Sequence, residues 1–140
     1  MTMPEVSRGL AFGDLDNDGA IDVVVGNDAG PVQVLRNSVG RDPRSGPAGP
    51  GNHWIGLRLL DSHGRDALGA RVTLKRADGR TLMRRVRADG SYASANDPRV
   101  VIGLGSVATA GDVQILWPDG QMETRPVSVD RYTTITQGKT

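Results

Sequence analysis

The sequence predicts an all-β protein, and three observations carry that prediction. Apolar residues come in short runs rich in β-branched types, such as IDVVVG at 21–26 and VVIGLG at 100–105. Turn-forming clusters separate these runs, DNDG, ADGR and WPDG among them. No stretch sustains a helical apolar period, so almost no helix is expected.

The elements follow in order. Strands are expected at 9–15, 21–26 and 32–35, joined by the turns DNDG and NDAGP, which makes a three-stranded antiparallel meander. Residues 41–51, RDPRSGPAGPG, hold three Pro and three Gly and read as a linker. Beyond it, strands are expected at 54–60, 71–75, 81–87, 100–104, 113–117, 121–129 and 133–136, as a small antiparallel β-sandwich or barrel. Asp78-Gly79 between two strand-like runs marks a hairpin over 71–87, and WPDG at 117–120 marks a second turn. The organisation is therefore a short unit at 1–40, the linker at 41–51 and a longer β unit at 52–140.

Composition narrows the function classes. Gly is abundant, 19 of 140 residues, without a triplet period and beside only 8 Pro, which implies many tight turns rather than collagen or low complexity. The absence of Cys excludes disulfide scaffolds, Cys-ligated zinc and thiol nucleophiles. No apolar run is long enough for a membrane helix, so no membrane insertion is expected. The first residues, MTMPEVSRGLAF, lack a basic and then apolar leader, so no signal peptide is expected here. The charge is split: residues 1–40 hold two basic and six acidic residues, residues 41–140 hold 15 basic and ten acidic. Such asymmetry points to parts with different partners.

The acidic part has a specific pattern. In GDLDNDGAID, residues 13–22, Asp14, Asp16, Asp18 and Asp22 fall at positions 1, 3, 5 and 9 of a loop, with Gly19 at position 6. Carboxylates this close repel by about 4 kcal/mol per pair at roughly 4 Å and an effective dielectric near 20. A hard divalent cation removes that cost, and the flexible oxygen cage suits calcium better than magnesium. Ala20, at position 7, offers a backbone carbonyl. An EF-hand is excluded because position 12 is Val25 rather than Glu, and because the flanks read as strands. The alternative is a solvated acidic turn; four ligand-type residues and a placed Gly favour the metal. Asn17 and Asp28 are expected outside the cage, Asn17 facing solvent.

The run AFGDLDNDGAIDVVVGND resembles an FG-GAP repeat, the calcium-loop repeat of integrin α-chain propellers and related bacterial surface proteins. The resemblance covers about residues 8–37. It implies a structural calcium held by Asp14, Asp16, Asp18, Asp22 and the Ala20 carbonyl. From Asn52 onward, NHWIGLRL, DALGARVTL, RRVRADGSYASANDPRVVIGLG and VQILWPDGQ look similar to the ASPIC/UnbV domain. In cartilage acidic proteins and many bacterial exported proteins this domain follows a run of FG-GAP repeats. The resemblance therefore implies the C-terminal part of a longer extracellular or surface protein. A propeller needs at least about four blades, so a lone repeat is expected to dock on the second unit, add to its sheet or self-associate.

The basic unit carries a candidate polyanion-binding face. Alternation sends Val72, Leu74, Leu82 and Val86 to a core and Arg71, Lys75, Arg85 and Arg87 to solvent. An ordinary solvated sheet face is the simpler reading, and with only Tyr92 nearby to stack a base no nucleic acid partner is expected. Arg84 falls on the inward side and is expected to reach Asp61, Asp66 or Asp89. His53 is expected to anchor a strand start by hydrogen bonding, and Trp54 and Trp117 read as core aromatics. A triad of Ser91 or Ser94 with His53 and Asp97 has no nucleophile elbow to support it; Asn96-Asp97-Pro98 reads as a turn. The function expected is a non-catalytic, calcium-binding interaction module with an unidentified protein or glycan ligand. A carbohydrate-binding module using Trp54 or Tyr92, or a hydrolase with an unrecognised site, stands as the alternative.

Overall fold

The computed structural model describes residues 6–38, 52–76 and 78–139, and it is all-β, with no helix among them. The linker expected at 41–51 lies outside the described residues. Strands β1 (Val6–Gly13), β2 (Asp22–Asp28) and β3 (Gln33–Leu35) form the antiparallel meander in the order β1-β2-β3. The last rung of its first hairpin is Gly13 opposite Asp22, so residues 14–21 close as a loop at that end.

The second unit holds two sheets. Strands β4 (His53–Leu60), β7 (Val100–Gly105) and β10 (Tyr132–Thr136) form one, with order β10-β4-β7. Strands β5 (Arg71–Lys75), β6 (Thr81–Arg85), β8 (Val113–Leu116) and β9 (Met122–Arg125) form the other, with order β6-β5-β8-β9. Alternation along β4, β5, β7 and β8 sends every second side chain inward. Ile55, Leu57 and Leu59 of β4 meet Val72 and Leu74 of β5, Ile102 and Leu104 of β7 and Ile115 of β8 in one core, closed by Trp117. Each such side chain contributes about 1.5–3 kcal/mol by leaving water.

The turns form where the residues demand them. In the β5–β6 hairpin Arg76 N–H bonds to the Arg80 carbonyl at 2.8 Å, and Gly79 takes φ 81°. In the β8–β9 turn Trp117 N–H bonds to the Gln121 carbonyl at 2.8 Å, and Gly120 takes φ 87°. Both positions lie in the region that glycine enters without steric cost.

Three expectations are corrected. The second unit is not wholly antiparallel, since β10 pairs with β4 in parallel, Tyr132 opposite Gly56. The strand expected over 121–129 ends at Arg125 because Pro126 has no N–H to continue the ladder; Val127 and Val129 still pack on the core. Arg84 is exposed on the outer strand β6, and its guanidinium bonds to the Met83 carbonyl at 2.9 Å instead of an acid.

Candidate functional site

No apolar side chain of residues 6–38 belongs to the core; the two fully buried side chains of this segment are Asp14 and Asp22. Their burial explains how the acidic loop is built. Asp14 is 1% exposed. Its Oδ1 accepts from Asp18 N–H at 3.0 Å, and its Oδ2 accepts from Gly19 N–H at 2.8 Å. The Asp18 carboxylate in turn accepts from Ala20 N–H at 2.7 Å. Short acidic side chains thus take up the backbone donors of a tight loop, with Asn17 at φ 60° and Gly19 at φ 85°.

Asp14, Asp16 and Asp18 each place one carboxylate oxygen within 4.8 Å of the others'. Two oxygens that both sit 2.3–2.6 Å from one calcium ion lie at most about 5 Å apart, so this spacing fits a shared hard cation. Asp16 is also ion-paired with Arg36. Asp22 is not in that group. Its Oδ2 accepts from Leu15 N–H at 2.9 Å and its Oδ1 from Asn37 N–H at 2.8 Å, which ties the two ends of the loop to the segment just after β3.

The loop is seated on the second unit. Tyr132 Oη–H donates to Asp14 Oδ2 at 2.7 Å. Burial first, and then the bond to Asp14 and its charge, push the Tyr132 phenol well above its ordinary value, so it stays a neutral donor. Trp54 meets Tyr132 edge to face, ring centroids 5.1 Å apart, and lies against Gly19. Trp54 is therefore a seam aromatic and not a core one; Trp117 alone takes the core role expected of both. Arg99 lies 4.3 Å over the Tyr132 ring. It donates to the Asp14 backbone carbonyl at 2.7 Å and to Asn17 Oδ1 at 2.5 Å, and pairs with Asp97 at 2.6 Å. Its pKa is raised, chiefly by the bond to Asp97. Asn17 is exposed, as expected, and its side-chain oxygen also holds Arg99.

Backbone bonds complete the seam. Asp97 N–H donates to the Phe12 carbonyl at 2.9 Å, Phe12 N–H to Asn96 Oδ1 at 2.9 Å, and Ser94 Oγ–H to the Leu10 carbonyl at 2.8 Å. Sequence reasoning missed Ser94, Asn96, Arg99 and Tyr132. One signal was present: a glycine inside a strand marks close approach, and a Cβ on Gly56 would lie 2.4 Å from the Tyr132 ring.

The groups of the dismissed triad are spent elsewhere, Ser94 on the Leu10 carbonyl, Asp97 on Arg99 and His53 on Asp130. His53 Nδ1 lies 2.6 Å from Asp130, whose carboxylate also accepts from Trp54 N–H at 3.2 Å, so His53 anchors the start of β4 as expected. The bond to His53 is the main reason the Asp130 pKa falls below its ordinary value. A depressed carboxylate contributes stability above its unfolded pKa and loses it as pH falls through the folded one. The Tm difference between wild type and Asp130→Asn is therefore expected to shrink as pH drops below about 4, read by thermal melts across that range.

Residues 61–140 match the family described as ASPIC and UnbV. The chain belongs to the ASPIC and UnbV family. It is also similar to cartilage acidic protein 1 of Mus musculus, 29% identical over 122 residues, covering 87% of this chain and 18% of that protein. The Homo sapiens protein is 28% identical over 118 residues, 82% of this chain and 16% of that one. The Xenopus tropicalis protein is 28% identical over 120 residues, 86% and 18%. The chain thus spans under a fifth of the length of these relatives. An aligned stretch of 122 residues is longer than 61–140, so the likeness reaches back into the residues before the family match. The FG-GAP resemblance rests on the loop's own residues.

Of the candidate polyanion face, Arg71, Lys75, Arg85 and Arg87 are all exposed. Arg85 and Arg87 line a cleft together with Arg84, whereas Arg71 and Lys75 lie outside it.

Proposed function

We propose that the chain is a non-catalytic, calcium-binding interaction module of an extracellular or surface protein, with the ion in the Asp14–Asp16–Asp18 loop. The observation that carries this reading is the buried Asp14, which shares an oxygen cluster with Asp16 and Asp18 and is bonded to Tyr132 of the second unit. An ion there would neutralise the loop and stiffen the seam at the same time. Ala20 and Asp22, the remaining ligands that the FG-GAP resemblance implies, border the cluster; Asp22 serves first as a backbone acceptor. Among the described residues no helix is long and apolar enough to cross a membrane. The names of the relatives, cartilage acidic proteins, support an extracellular setting.

The meander also leaves Val6, Phe12, Leu15, Val32, Val34 and Leu35 exposed. This surface supports the reading of the unit as one repeat that seats on further repeats or on another copy. A glycan ligand remains the second reading, resting on Tyr92, which is 79% exposed; Trp54 is covered by the loop and no longer supports it.

Calorimetry of calcium into chelator-stripped protein tests the proposal. One site per chain is expected, with a Kd on the order of 10⁻⁵ to 10⁻³ M, since no bidentate Glu is present. At a hundredfold excess over Kd the ion adds about 2.7 kcal/mol of stability. Asp16→Ala is expected to remove most of that gain, and an unchanged calcium response in this variant would sink the assignment.

A further inference from the structure

Beside the seam, the outer strand β6 and the outer strand β7 of the two sheets face the loop end of β1 across a cleft of about 210 Å³. Its apolar surface includes Phe12 and Ile21, which are 45% and 39% exposed, and Val101. Its polar wall is Arg84, Arg85 and Arg87. Among the described residues none of these three arginines has a carboxylate at ion-pairing distance. The acid that also lines the cleft, Asp97, is neutralised by Arg99 at 2.6 Å. The cleft therefore presents three uncompensated positive charges around an apolar patch.

We infer that this cleft binds an acidic peptide segment, an apolar side chain resting on Phe12, Ile21 and Val101 and flanking carboxylates on Arg84, Arg85 and Arg87. Guanidinium groups meet carboxylates in a bidentate fork, which gives orientation as well as attraction. The outer edges of β6 and β7 suit an extended segment laid along them. A volume below the usual range of small-molecule pockets, about 300–1,000 Å³, matches one anchoring side chain better than a whole cofactor. A sulfated or phosphorylated polymer would use the arginines and leave the apolar patch uncovered. The chemistry of the patch, and not the charge alone, selects the peptide.

The test is fluorescence anisotropy of a labelled octapeptide, two central leucines flanked by glutamates, titrated with the full chain at low salt in millimolar calcium. Saturable binding is expected. Arg84→Glu combined with Arg85→Glu should weaken it at least about tenfold, since two charge-assisted contacts turn repulsive. Replacing both leucines of the peptide by serine should weaken it at least about fivefold, from lost apolar contact. All three arginine positions are exposed, and an unchanged near-ultraviolet spectrum shows that the double variant is folded. The inference is overturned by absent saturation, by an unaltered affinity for the serine peptide, or by a sulfated oligosaccharide that binds as tightly as the peptide and depends on the same arginines. None of these outcomes depends on whether the Asp loop takes up calcium.

Discussion

Gly19→Ala is expected to lower stability by about 3–4 kcal/mol and to abolish the calcium response. Two costs add at this position. Gly19 takes φ 85°, and an L-residue in the left-handed region costs about 1–2 kcal/mol. A Cβ there would lie 2.2 Å from the Trp54 ring, and overpacking of this kind costs about 1–3 kcal/mol. Trp54 has little freedom to retreat, because its other neighbour is Tyr132 and the two rings sit on paired strands, β4 and β10. The loop must therefore lift, which breaks the Gly19 and Tyr132 bonds to Asp14 together. Chemical denaturation followed by Trp fluorescence reads the effect. A variant as stable as wild type, with calcium affinity intact, would show that the loop does not rest on Trp54.

The strands were legible in the sequence because their signals are local. Short runs of alternating or continuous apolar character beside Asp-Gly or Pro-Asp-Gly turns identify β5, β6 and β8 with few choices left. Strand direction was not legible. The run 133–136 fits a parallel or an antiparallel neighbour equally well, and β10 joins β4 in parallel only because the chain crosses over after β9. Inward alternation also misplaced Arg84, since an outer strand such as β6 exposes both of its faces for part of its length.

The loop was legible for a different reason: its chemistry is packed into nine consecutive residues, and Asp14, Asp16 and Asp18 do converge. What the spacing could not show is the competition for each carboxylate. Asp22 fits the alternation as well as the others, yet the backbone N–H groups of Leu15 and Asn37 claim both its oxygens. The seam was illegible, because its key bond joins residues 118 positions apart. Pairings of that range leave no periodic trace; only the bare Gly56 inside β4 hinted that a ring lies across it.

Asp14→Ala is expected to cost a similar amount, about 3–4 kcal/mol, for a reason that separates two roles of the carboxylate. The substitution leaves three donors without their acceptor, Asp18 N–H, Gly19 N–H and Tyr132 Oη–H. Each partly buried donor left unpaired costs about 1–3 kcal/mol, with the lower end apt where water can reach the loop. Tyr132→Phe removes one of the three bonds and keeps the ring under Arg99, so about 1 kcal/mol is expected from it. If Asp14 acts on the second unit through Tyr132, the two substitutions are not additive: in the double variant the Tyr132 change costs little more, and the cycle gives a coupling of at least about 0.5 kcal/mol. Additivity would mean that Asp14 organises only its own loop. The same cycle repeated in saturating calcium then distinguishes the ion's part. An ion held by Asp14 raises the cost of Asp14→Ala by the binding energy lost, and any rise in the cost of Tyr132→Phe reads how far the ion also stiffens the seam.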